Sequence, residues 1–201
     1  SNVGGYFGPF LKFSGFDVIE LTGKAEEDVI IVIDGNKGTV SIEKAPLEHK
    51  DAHVLGEELT TMYAEDDNDR KNVAVVCSGS AADHCNLSML NFTFYDPKRN
   101  VVRLKQAGRG GIGRVFADKH IKALVCHFKG VKANLNHVYD ISILNRDGLK
   151  FHREVATQDD KQNSMRKSGT AYSLRIMSDY DILPTRNYKS VSYTHLTLPT
   201  K

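Results

Sequence analysis

Four glycines fall within six residues at Gly108-Arg109-Gly110-Gly111-Ile112-Gly113, directly after Lys105-Gln106-Ala107. Only Arg109 and Ile112 carry side-chain bulk there. Glycine is used where a backbone must take positive φ or come close to another group. Consecutive N–H groups in such a turn can form an anion-binding nest, and an arginine within it adds a planar fork that grips phosphate bidentately. Arg103, Lys105 and Arg114 flank the turn with further positive charge. The pattern reads as a cradle for a phosphorylated ligand. A purely structural turn is the competing reading.

The letters from Gly108 through Gly110 to Gly113 also fit GxGxxG. A dinucleotide-binding turn needs an apolar strand before it and an acid about twenty residues on. The preceding run, Val101-Val102-Arg103-Leu104-Lys105-Gln106, is too charged for a buried parallel strand. The window where the acid belongs, Phe128-Lys129-Gly130-Val131-Lys132, has no carboxylate. The dinucleotide reading is therefore set aside.

A second glycine-rich stretch opens the chain: Asn2-Val3-Gly4-Gly5-Tyr6-Phe7-Gly8-Pro9-Phe10. Gly4 and Gly5 again let a backbone approach something closely, and Asn2 offers amide donors and an acceptor to a heterocycle edge. Phe10, Phe13 and Phe16 fit an amphipathic helical turn that buries its rings. The stretch thus reads as glycines at a site and phenylalanines in a core.

At 201 residues, the chain can hold one generous domain, or one domain and part of another. Apolar content of 40%, charged content of 26% and net charge +2 suit a soluble globular protein, and this charge does not by itself argue for nucleic acid. No run of 18 apolar residues marks a membrane span, and no signal peptide opens the chain. The start at Ser1 rather than Met leads us to expect a fragment, and the protein is expected to be cytoplasmic. Cys77, Cys85 and Cys126 are odd in number and form no CxxC, so they are expected reduced and mostly buried. Asn86-Leu87-Ser88 and Asn91-Phe92-Thr93 match the glycosylation pattern but lack a secretory context.

Strand-like runs lie at Val18–Leu21, Val29–Ile33 and Thr39–Glu43, the last alternating as a half-buried strand does. Asp34-Gly35-Asn36-Lys37-Gly38 joins the latter two as a hairpin, and the three together predict a β-meander. A helix is predicted over 55–64, with Leu55, Leu59 and Met62 on one face. His49 and His53 stand at i,i+4, but without a HExxH pattern they read as a solvated face rather than a metal site. Glu65–Asp69 reads as an exposed acidic loop. Further strands are predicted at Val73–Cys77, Met89–Tyr95 and Ile121–Cys126, with Ser78–Asp83 as a small-residue turn. Beyond that, Ile141, Leu144, Gly148, Phe151 and Val155 recur at helical spacing, and Ala171, Leu174, Ile176 and Met177 suggest another helix. A β-rich domain over 1–132 and the beginning of a helical domain over 133–190 follow. Residues 191–201 fit nothing before them and read as translated sequencing adapter, foreign to the natural protein.

Three segments carry a resemblance. "NVGGYFGPFLKFSGFDVIELTGKAE", "AGRGGIGRVFADKHIKAL" and "DDKQNSMRKSGTAYSLRIMSDYDILPTRNY" occur in that order. They are similar to the tungsten-containing aldehyde:ferredoxin oxidoreductase family over nearly all of residues 1–190. The resemblance implies an α+β chain whose β-rich first domain has two packed sheets forming a cofactor shelf, followed by helices. It implies tungsten or molybdenum held by the dithiolenes of two pterins, oxidation of an aldehyde to a carboxylate, and electrons passed through a 4Fe-4S cluster to ferredoxin. By position, Asn2 and Gly4, with Gly5, would touch a pterin. Lys105, Gln106, Gly108 and Arg109, with Gly110 and Gly111, would line its phosphates. The family commonly has arginine where Lys105 stands, and lysine keeps the charge but loses the fork. The turn Gly79–Asp83 lacks the proline and second glycine of the family's turn and is expected to be structural. A family arginine upstream of the first glycine segment is also absent. The family's cluster cysteines and acid–base residues lie beyond this chain, so no catalytic residue and no protein ligand to a metal is assigned. The fragment alone is expected to be inactive.

The competing function is a phosphate- or nucleic-acid-binding module without catalysis. Lys98, Arg99, Arg103, Lys105, Arg109, Arg114, Lys119 and Lys122 fall in one span, with Phe92, Phe94 and Tyr95 nearby for base stacking. No RNP-like or KH-like pattern accompanies them, so no nucleic-acid partner and no membrane are expected. A homo-oligomer is compatible with the family. A third reading is an interaction protein without a ligand, whose glycine loops would be turns only.

Overall fold

The computed structural model describes residues 2–46, 48, 50–130, 138–158 and 163–184. Two compact units divide between residues 137 and 138. The expected boundary at 132 and the tail 191–201 both lie outside the described residues.

In the first unit the strands are β1 (Val29–Asp34), β2 (Thr39–Lys44), β3 (Val73–Cys77), β4 (Leu90–Asp96), β5 (Val101–Ala107) and β6 (Ile121–His127). They form one six-stranded sheet in the order β2-β1-β6-β3-β4-β5. β1 and β6 run parallel, and all other pairs are antiparallel. Helices α1 (Phe7–Phe13), α2 (Ala52–Tyr63) and α3 (Ile112–Asp118) accompany it.

Both sides of the central strands are covered, which explains their unbroken apolar runs. Ile31, Ile33, Ala74, Val76, Leu124 and Cys126 face the side where Phe7 and Phe10 of α1 and Phe116 of α3 pack. Ile30, Val32, Val73, Val75, Ala123 and Val125 face Leu55 and Leu59 of α2 on the other side. A fully buried side chain such as Leu59, at 0% exposure, contributes roughly 1.5–3 kcal/mol. Asp51 caps α2 by accepting from the N–H groups of His53 and Val54 at 2.8 and 3.1 Å.

Several expectations change. Two packed sheets are replaced, among the described residues, by one. β6 is buried along its whole length and pairs with β1 on one edge and β3 on the other, so it fuses the two halves. The meander reduces to the β1–β2 hairpin. Val18–Leu21 makes no ladder; Ile19 and Leu21 lie against the core as a strap while Val18 is 78% exposed. β2, read as half-buried, is exposed at all six positions; it is the sheet edge, and neither core cluster of the described residues includes any of it. The acidic loop is exposed only through residue 68. Asp69 is buried, accepting from the Glu65 N–H and the Asn72 side-chain amide and lying 2.9 Å from His127 Nε2. Cys77 and Cys126 are buried, whereas Cys85 is exposed.

The second unit contains α4 (Ile141–Ala156), α5 (Ser164–Ser168) and α6 (Leu174–Asp179), with a 3-10 turn at Gly169–Ser173. Asp140 caps α4 through the N–H groups of Ser142 and Ile143. The α4 positions Ile141, Leu144, Phe151 and Val155 are all exposed. No helix among the described residues is long and apolar enough to cross a membrane.

Candidate cofactor-binding face

The candidate residues gather at the outer edge of the sheet. Among the described residues β5 pairs only with β4, in the register Phe92↔Lys105, Phe94↔Arg103 and Asn91↔Gln106. An antiparallel edge strand is unsuited to a dinucleotide fold, whose glycine turn follows a central parallel strand. Strand alternation sends Lys105 and Gln106 to opposite sides of the sheet. Leu104, on the same side as Gln106, packs near Gly56 of α2. Lys105 stands on the α1 side.

The opening segment crosses that α1 side. A Cβ built on Gly4 would lie 3.6 Å from Lys105 Cγ, an ordinary contact. One on Gly5 would lie 3.4 Å from Phe92 Cβ and 3.4 Å from the Thr93 carbonyl oxygen, and Gly5 holds φ +108°. Tyr6 then meets Phe94 edge-on at 5.9 Å, and Phe7 meets Phe92 at 6.3 Å. The rings buried by α1 thus anchor the glycines before them over β4 and β5. Asn2 and Gly4 remain exposed.

After β5, Gly110 (φ 80°, ψ 11°) and Gly111 (φ 65°, ψ 29°) turn the chain left-handedly into α3. Side chains at these angles are strained. The four glycines of the turn do different things. A Cβ on Gly111 would meet the Asn86 carbonyl oxygen at 2.0 Å, and one on Gly113 would meet that of Met89 at 2.5 Å. These two are demanded by packing against 86–89. Gly110 is demanded by its angle alone, with nothing within 4 Å. Gly108 has φ −100°, and its nearest neighbour would be the Met89 terminal methyl at 3.9 Å. Neither space nor backbone angle requires glycine at Gly108 or Gly4. Gly108, Arg109 and Gly110 are exposed, while Gly111 is buried.

The charges sort in the same way. Arg99 and Arg103 reach Asp96 at 2.7 and 3.5 Å. Arg114, counted in the sequence among the cradle's cations, instead donates from Nη1 to the carbonyls of Ala82 and Asp83 at 3.2 and 2.6 Å, tying α3 to the turn at Ser80–Asp83. Lys119 donates to the Gly23 carbonyl, and Lys122 is buried between Asp28 and Asp83. Lys105 and Arg109 have no acidic partner among the described residues. Of the aromatic residues offered for base stacking, Tyr95 is buried beneath Arg70 at 5.1 Å and Phe92 packs on Phe7, while Phe94 is half-buried beside Tyr6.

No cluster of three or more His, Cys, Asp or Glu that could hold a metal occurs among the described residues. His53 is exposed on α2, and His49 lies outside the described residues.

The profile described as "Aldehyde ferredoxin oxidoreductase, N-terminal domain" matches residues 1–128. The chain belongs to this family. Among its relatives, the tungsten-containing aldehyde ferredoxin oxidoreductase of Pyrococcus horikoshii is 30% identical over 191 residues, 94% of this chain and 28% of that protein. The Pyrococcus furiosus enzyme of the same name is 29% identical over 97% of the chain and 29% of its own length. That of Thermococcus kodakarensis is 27% identical over the same shares. The chain therefore spans under a third of the length of these relatives. A solved structure, the active-site complex BamBC of benzoyl coenzyme A reductase with 1,5-dienoyl-CoA, aligns at TM-score 0.46 and 25% identity, covering 62% of this chain and 17% of that one. Within this aldehyde ferredoxin oxidoreductase family domain, Gly4 and Gly108, which packing does not require, both lie on the exposed edge.

Proposed function

We propose that this domain is the phosphate-holding wall of a tungsten or molybdenum pterin site. The complete enzyme would oxidise an aldehyde to a carboxylate and pass the electrons through a 4Fe-4S cluster to ferredoxin. The observation that carries the proposal is the meeting of Gly4 with Lys105, three residues before Gly108, on the exposed α1 side of one sheet edge.

The residues present fit such a group. Gly4 and Gly108 leave the backbone open where neither packing nor φ asks for glycine. Lys105 and Arg109 supply two positive charges with no carboxylate partner among the described residues, so phosphate oxygens need not compete with an acid there. Gly5, Gly110 and Gly111 shape the two turns that present them, and Asn2 adds side-chain amide donors and an acceptor. Gln106 faces the α2 side and is left out of the phosphate wall. When bound, the metal–pterin group would supply the two-electron chemistry. The chain's own residues would anchor and orient it by its phosphates. An ammonium at Lys105 gives a point charge rather than a bidentate clamp, so Arg109 would supply the directional contact.

The same partition of charges weighs against a polynucleotide, which asks for a continuous track of free cations with stackable rings. Here, among the described residues of that span, Arg99, Arg103, Arg114, Lys119 and Lys122 are engaged within the fold, which breaks up such a track. The test is to purify the intact protein and measure metal content, pterin fluorescence and aldehyde-dependent viologen reduction. Stoichiometric metal and pterin with aldehyde-driven reduction are expected. Protein free of both after metal-replete expression would overturn the reading.

A further inference from the structure

Lys105 is held in place by a ring rather than by an acid. Its Nζ lies 5.7 Å from the centroid of Phe94, and the Arg103 guanidinium carbon lies 5.7 Å from the same ring. Arg103 is directly opposite Phe94 across the strand pair, and Lys105 is its diagonal neighbour on the same side. Tyr6 meets the Phe94 ring edge-on at 5.9 Å and 61°. The two cations differ in one respect. Arg103 has Asp96 within 3.5 Å, whereas Lys105 has no carboxylate among the described residues.

A cation over an aromatic face is attracted by the ring's quadrupole within about 6 Å. That attraction orients the ammonium without cancelling its charge, which a carboxylate would do. Lysine otherwise loses considerable rotamer freedom when a ligand immobilises it, and ordering it beforehand reduces that penalty. The stem of Lys105 lies along Gly4 while its head lies by Phe94. Phe94 thus holds the head of the side chain, while the stem passes the space that a Cβ on Gly4 would fill.

The geometry points to Phe94, supported by Tyr6, as a positioning residue that presets the Lys105 ammonium for a phosphate-bearing ligand. This rests on the phosphate-wall reading above. Lys105 would carry the contact, and Phe94 would act through it without touching the ligand. Arg103, on the same ring but drawn toward the Asp96 carboxylate that it shares with Arg99, would not share the role.

The test uses the full chain with inorganic pyrophosphate as the probe, followed by NMR. In the unaltered chain, the Lys105 side-chain methylene signals should show upfield ring-current displacement and respond to pyrophosphate. Phe94→Leu should abolish the displacement and weaken pyrophosphate about two- to fivefold. Phe94→Tyr should preserve both, and Lys105→Met should weaken binding at least as much as Phe94→Leu. A backbone amide spectrum that matches the unaltered chain identifies variants that are folded. Should Phe94→Leu disturb the fold, Phe94→Tyr and the ring-current displacement in the unaltered chain decide: absence of that displacement overturns the proposal. Loss of displacement in folded Phe94→Leu with unchanged pyrophosphate affinity overturns it while leaving the phosphate wall standing. Failure of the unaltered chain to bind pyrophosphate overturns both.

Discussion

Gly4 and Lys105, 101 positions apart in sequence, are close enough that a single methyl on Gly4 would touch the lysine stem at 3.6 Å. This contact is the point at which the opening glycine segment and the glycine turn after β5 become one surface. It depends on α1, whose buried Phe7 and Phe10 fasten the segment to the sheet.

Gly4→Ala should leave thermal stability nearly unchanged, because 3.6 Å is ordinary van der Waals distance and the backbone angle is not left-handed. In the intact protein the same variant should reduce pterin and metal content. Gly5→Ala should behave differently, lowering Tm through strain at φ +108°, about 1–3 kcal/mol. Calorimetry paired with metal analysis separates the two outcomes.

The glycine turn offers a similar contrast. Gly113→Ala forces a Cβ to 2.5 Å from the Met89 carbonyl oxygen and should destabilise by about 1–3 kcal/mol or more. Gly108→Ala should be tolerated within about 0.5 kcal/mol. Urea denaturation of both variants would check this. Equal effects would mean that Gly108 is structural too.

Glu57 ties α2 to the outer strand pair. Its carboxylate pairs with the buried Arg70 and accepts from the Val102 N–H at 3.1 Å. Glu57→Ala should cost about 1–3 kcal/mol by leaving Arg70 with less compensation. Because β5 carries Lys105, pyrophosphate affinity should fall as well, and titration alongside urea melts measures both.

Burial pushes the Asp69 carboxyl up, but the Glu65 N–H, the Asn72 amide and the positive charge of His127 and Lys129 outweigh it and hold the group below the usual range. A lowered folded value means that stability from Asp69 is present above the unfolded pKa and is lost as pH falls through the folded one. The chain should therefore weaken below about pH 4. Asp69→Asn should flatten that acid limb in urea melts taken from pH 6 to pH 3.

Burial raises the Cys77 thiol to about 12, with the Asp51 charge adding to it. Burial likewise takes Cys126 to about 11, against a weak hydrogen bond shared with the Ser14 hydroxyl. Iodoacetamide at neutral pH should modify the exposed Cys85 first, and the other two only on unfolding. Mass spectrometry of native and denatured protein reads the difference.

Local pattern carried the central strands and the helices α1, α2 and α4, but not α3, which the glycine turn hid. Val29–Ile33, Val73–Cys77 and Ile121–Cys126 are apolar without a break because helices cover both sides, and α4 announced itself by spacing. The same logic failed at the margins. Thr39–Glu43 alternates like a half-buried strand, yet alternation cannot say whether anything lies on the apolar side. Val18–Leu21 has strand-forming residues but no neighbouring strand to accept its hydrogen bonds.

Residue identity alone established that two glycine-rich, partly basic segments exist and that the chain belongs with the aldehyde ferredoxin oxidoreductases. Only the folded arrangement separated Gly111 and Gly113, which keep space for another stretch of backbone, from Gly108 and Gly4, which keep space for nothing in this chain. It likewise parted Lys105 from Gln106 across the sheet and gave Arg114 to two carbonyls. The reason is that a glycine or a cation is the same letter whatever stands opposite it. What stands opposite is set by contacts between residues tens of positions apart.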